Sequence, residues 1–88
     1  MKIDMAFTAE ITKDNNSGWT CVVWPESGGF FGTGKPVKVS GMVDHHQFQA
    51  TFLPIGNGRH ILPLRAAIIA AIRKQVGDKV EVHLEERL

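Results

Sequence analysis

The sequence predicts a mainly β fold, a small closed or split β-barrel of about six strands with one α-helix. Three observations carry that prediction. Apolar and polar residues alternate with period 2 in segment after segment, only residues 65–76 change to a helical period, and clusters of Gly, Pro, Asn and Asp punctuate the chain at short intervals. With 88 residues the chain is read as one barrel domain over 1–88. A chain of this size hides only about 60–65% of the surface its unfolded form exposes, enough for one modest core and too little for separate cofactor and substrate domains.

The first strand is expected where Met5, Phe7, Ala9 and Ile11 alternate with Ala6, Thr8, Glu10 and Thr12. Lys13-Asp14-Asn15-Asn16-Ser17-Gly18 is a turn cluster, and Trp19–Trp24, apolar on both faces, should return as a hairpin partner until Pro25 ends it. Glu26–Pro36, with four glycines and the adjacent Phe30 and Phe31, reads as a loop folded back on the core. Val37, Val39, Gly41 and Val43 form one arm of a second hairpin and Phe48, Ala50 and Phe52 the other, with Asp44-His45 at the tight turn. A short segment, Arg59–Leu62, is stopped by Pro63. In residues 65–76, Ile68, Ile69, Ile72 and Val76 share one helical face, and Gly77 stands where a left-handed cap belongs. Val80, Val82 and Leu84 alternate with Lys79, Glu81 and His83 in a final strand. Closing so many short strands into a barrel, with the helix plugging one opening, would remove exposed edges.

Composition narrows the classes. The 22% charged residues and 43% hydrophobic residues argue against disorder. No apolar run approaches the roughly 18 residues a membrane span needs, and the alternating N-terminus lacks a signal-peptide core, so a cytoplasmic protein away from membranes is expected. The formal charge of +1 hides a division: residues 1–26 sum to −2, residues 27–77 to +5 and residues 78–88 to −2. Such a middle either pairs with the acidic ends across the sheet or offers a cationic face to an anionic ligand.

Few residues suggest chemistry. Cys21 lies in an apolar run and cannot form a disulfide or a cysteine-based zinc site alone. His45 and His46 are neighbours without a complementary ligand set, so no metal or other cofactor is expected. Gly29–Gly34-Lys35 has the spacing of a phosphate loop, but Pro36 replaces the hydroxyl residue and a strand follows, so nucleotide hydrolysis has no apparatus. No nucleophile, base and acid can be named together, and the chain is read as no enzyme. The anion candidates are Arg59 and His60 after the Gly56-Asn57-Gly58 turn, with Arg73, Lys35 and Trp19 beside them. The competing account of the first pair is structural: His60 bonded to a backbone carbonyl, Arg59 paired with a terminal carboxylate. Arg65 opens the helix, where a cation opposes the macrodipole and calls for a carboxylate or a bound anion.

The ordered segments FTAEI, GWTCVVWP, FGTGKPVKVSGMVD, FQATFLPIGNGRHILPL, Ile72-Arg73 and VGDKVEV resemble the bacterial family of unknown function numbered nineteen-oh-five, over about Met5 to Glu85. The resemblance implies a small closed or split barrel with one helix, related to the double-split barrels that include the AbrB-like proteins, and it implies no reaction. The matching positions are Trp19, Pro25, Phe31, Gly32, Gly41, Gly58, His60, Arg73, Gly77 and Asp78; Asp44-His45-His46 stands where the family would have an Asp-Gly type turn. Two functions follow as expectations. The first is a non-enzymatic binding module for an anionic small molecule or peptide. The second is an AbrB-like homodimeric DNA-binding or regulatory protein, against which the +1 net charge and the acidic C-terminal tail argue, so nucleic acid is not the expected partner. A monomer and a homodimer both fit.

Overall fold

A computed structural model describes all residues, Met1–Leu88. Its elements are β1 (Lys2–Glu10), β2 (Thr12–Lys13), β3 (Thr20–Trp24), α1 (Ser27–Phe31), β4 (Val37–Val43), β5 (His46–Gly56), β6 (Arg59–Pro63), α2 (Ala66–Ile72) and β7 (Lys79–Arg87). The seven strands form one antiparallel sheet in the order β1-β7-β4-β5-β6-β3-β2, curled into a half-barrel. The two outer strands, β1 and β2, are consecutive pieces of one extended stretch broken at Ile11, whose N–H donates to the Asp78 carbonyl and whose carbonyl accepts from Gly77 N–H, both at 2.8 Å.

That break corrects the first expected hairpin. Only Thr12 and Lys13 pair with β3, while β1 pairs with the last strand, with Thr8 opposite Glu81 and Phe7 opposite Val82. The second hairpin forms as expected, with Val43 opposite His46 across a two-residue turn. Asp44 and His45 there adopt φ of 46° and 70°, the left-handed pair that matches the twist of the strands and that usually selects Asn-Gly or Asp-Gly. Asp44 compensates: its backbone N–H reaches the Glu81 carbonyl, its carboxylate accepts from Glu81 N–H at 2.9 Å, and Lys74 Nζ lies 2.5 Å from it.

The helices also differ from expectation. Residues 27–31, expected as loop, make a short helix because Phe31 buries its ring against Phe52 and Trp24 while Gly28 N–H donates to the Gly58 carbonyl. A Cβ at Gly28 would fall 2.3 Å from that same oxygen. Helix α2 ends at Ile72, four residues short of the expected boundary. Arg73 caps it at φ 58°, its N–H donating to the Ala70 carbonyl, and Gly77, expected as the cap, serves the turn that leads into β7. The Asp78 carboxylate accepts from Gln75 N–H in that turn and holds it.

The core gathers Val22, Trp24, Phe31, Val39, Phe52, Leu62, Val80 and Leu84 from both halves of the sheet. Trp24 stacks on Phe7 with ring centroids 4.5 Å apart. Arg87 lies over the Phe31 ring and donates to the Phe31 carbonyl at 3.2 Å. Burying such a cluster is the main force that holds the curl closed around it.

Candidate functional site

Pro63 stops β6, and Arg65, in extended conformation, precedes α2 without a side-chain cap. The helix AAIIAAI carries no polar residue. It packs Ile68, Ile69 and Ile72 against the core and leaves Ala66, Ala67, Ala70 and Ala71 exposed. Its branched inward side chains meet the core and its outward ones are only methyl groups, so α2 lies against β5 as a slender element. Two grooves remain beside it, and Ala50, Thr51, Pro63, Leu64 and Arg65 line both.

The larger groove has a volume of about 870 Å³. Leu53 and Ile69 give it an apolar lining, Trp19 stands on one side, and Arg65, Arg73 and Lys74 supply cations. Trp19 is 52% exposed whereas Trp24 is 5% exposed, so the two tryptophans divide between surface and core. An indole beside guanidinium groups can stack an aromatic body and pair with its anionic substituent.

The charges around the groove are unbalanced. The chain makes two ion pairs, Lys74 with Asp44 and His83 with Asp4. Burial pushes Asp44 up, but the hydrogen bond from Lys74 and the one from Glu81 N–H outweigh it and hold the carboxyl below its ordinary range. Lys74 is therefore committed. Arg59, Arg65 and Arg73 have no carboxylate within ion-pair distance, which corrects the account that pairs Arg59 with a terminal carboxylate. The +5 middle is not neutralised by contact with the acidic ends.

The five residues singled out from sequence fall into two groups. Trp19 and Arg73 share the larger groove. Arg59, His60 and Lys35 lie apart from it, near α1. His60 is fully buried; its Nε2–H donates to the Lys35 carbonyl at 3.0 Å, and its Nδ1 lies 2.7 Å from Ser27 Oγ. A carbonyl only accepts, so Nε2 carries the proton and Nδ1 accepts the Ser27 hydroxyl. Ser27 and His60 thus have the spacing of a nucleophile and base, yet both are buried with 0% exposure and neither lines a groove. Arg59 and His60 do not converge on one ligand, because neighbours on a strand point to opposite faces and here one is exposed and the other is core. Lys35 contributes its carbonyl to His60. Ser27, 33 residues from its partner, and Lys74 are the residues that sequence reasoning missed; Lys74 lies within the stretch of helical period, whereas no local signal marks Ser27.

Comparison with known proteins gives one finding. The model of the family described as domain of unknown function (DUF1905) matches residues 7–84. No curated protein matches the chain.

Proposed function

We propose, from the premise that the chain belongs to the DUF1905 family, that this member is a non-enzymatic binding module for a small aromatic or aliphatic anion. The ligand's apolar body lies against Trp19, Leu53 and Ile69, and its carboxylate or phosphate meets Arg65 and Arg73. The observation that carries the reading is the pair of unpartnered guanidinium groups lining the same apolar groove as an exposed tryptophan. Both are exposed within the groove and would offer bidentate hydrogen bonds to an oxyanion, which lysine ammonium groups do not. The closed Ser27–His60 contact supports a binding role over catalysis, since a buried nucleophile with no access does no chemistry.

Arg73 also holds the left-handed cap conformation, as Asp44, His45 and Asn57 do in their turns. Its φ of 58° is a conformation that costs a non-glycine side chain about 1 kcal/mol, and positions that keep such strain often serve a site. A thermal-shift titration with phenyl phosphate, with inorganic phosphate alongside, tests the reading. The melting temperature should rise more with phenyl phosphate, and Arg73→Gly should abolish the rise. Equal, unsaturable effects of both anions, or an undiminished rise in Arg73→Gly, would refute the reading.

A further inference from the structure

Strand β5 is longer than the strands that pair with it. On one side β4 covers His46–Phe52; on the other, β6 begins pairing only at Leu53, opposite Ile61. Two residues further along that register Pro63 comes opposite Thr51, and it has no N–H to continue the ladder. The chain then turns away into α2. The first half of β5 is consequently an open edge inside the sheet, not at its end.

The backbone groups on that edge follow from the ladder. In a hairpin with a two-residue turn, the pair Val43–His46 next to the turn is hydrogen-bonded, and hydrogen-bonded pairs then alternate. His46, Phe48 and Ala50 therefore point their N–H and C=O groups at β4, while Gln47 and Gln49 turn theirs to the open side. The smaller groove, about 550 Å³, lies along this edge between β5 and α2. Its charged lining residues are Lys38 and Arg65; no carboxylate lines it, and neither cation has an ion-pair partner.

We infer that this groove takes an extended peptide segment bearing acidic side chains, which adds as a strand to the free edge of β5. Backbone pairing with Gln47 and Gln49 supplies the affinity, the partly exposed Phe48 and Ala50 contact alternate side chains, and Lys38 and Arg65 select acidic residues. Charge complementarity decides the occupant. A second copy pairing edge to edge would bring two cationic grooves together, whereas an acidic strand neutralises one. The inference shares Arg65 with the Trp19 groove and otherwise stands apart from it.

The test uses the whole chain and a fluorescein-labelled peptide of alternating Val and Glu. Fluorescence polarisation should rise saturably and fall with added salt, and amide NMR shifts should concentrate at Gln47 and Gln49 without moving the Trp19 indole. The Val-Lys counterpart should bind at least about tenfold more weakly, as should a Val-Glu peptide N-methylated on the residues that would pair. Lys38→Glu with Arg65→Glu should lose the Val-Glu peptide while circular dichroism stays unchanged; if that variant does not fold, the two control peptides on the unaltered chain decide. Equal binding of the N-methylated peptide, shifts centred on Trp19, no binding, or dimerisation of the free chain through β5 would each overturn the inference.

Discussion

The Ser27 hydroxyl meets His60 Nδ1 at 2.7 Å with both residues fully buried, and that contact fixes α1 to β6. His60 is the bolt between them, with the Lys35 carbonyl on its other ring nitrogen. Every buried side-chain polar atom is satisfied, so removing one member leaves another without a partner. Ser27→Ala is expected to cost about 1–2 kcal/mol and His60→Ala about 3–4 kcal/mol in urea denaturation, the latter combining a cavity with two stranded polar groups. A cost under about 0.5 kcal/mol for His60→Ala would remove the bolt from the account.

Gly41 allows β4 and β7 to approach. An added Cβ would stand 2.1 Å from the His83 carbonyl oxygen and 3.0 Å from Leu84 Cα, both on the backbone of β7, at the register shift between Ser40 and Gly41. Gly41→Ala should destabilise the chain by about 2–3 kcal/mol, seen as a lower guanidinium midpoint. An unchanged midpoint would mean the two strands can separate freely there.

His83 and Asp4 make the one pH-sensitive contact on the β1–β7 surface, Nε2 to Oδ1 at 2.6 Å. The Asp4 hydrogen bond is the largest influence and raises His83 above its ordinary 6.5; burial opposes it, and attraction to Asp4, Glu85 and Glu81 adds to the rise. A raised value in the folded state means the pair's stabilisation is fully present below pH 6.5 and fades as the pH climbs through the folded value. An NMR titration should place the His83 midpoint above 6.5 and bring it back toward 6.5 in Asp4→Asn. A midpoint at or below 6.5 in the unaltered chain would contradict the pairing.

Arg73 should separate stability from binding. Glycine at a left-handed cap carries no Cβ penalty, so Arg73→Gly is expected to raise stability by about 1 kcal/mol while weakening anion binding. Chemical denaturation and the phosphate thermal shift measure the two effects on one variant. If Arg73→Gly is destabilised, the side chain holds the fold and does not serve a ligand.

Much of the fold is legible in local pattern. The alternation in Val37–Val43 and Val80–Leu84 specifies strands because each strand buries one face, and the family match over residues 7–84 agrees with the resemblance that the motifs carry. What local pattern misses depends on distant partners. Phe7 faces Val82 only because Ile11 interrupts the first strand and sends its two halves to opposite edges of the sheet. Helix α1 contains Gly28 and Gly29, poor helix formers, and forms because Phe31 and the Gly58 carbonyl hold it. At the site, Trp19 and Arg73 are recognisable by their chemistry, but their meeting needs α2 to dock against β5. Adjacency suggests Arg59 and His60 as a pair, but on a strand adjacency is the arrangement that separates side chains.

The most direct measurement is a two-dimensional NMR titration of the chain with phenyl phosphate, following the two indole N–H signals. The Trp19 signal is expected to move saturably, together with the amides of Arg65 and Arg73, while the buried Trp24 signal stays in place. A stationary Trp19 signal, or shifts gathered at Arg59 and Lys35, would contradict the proposed site.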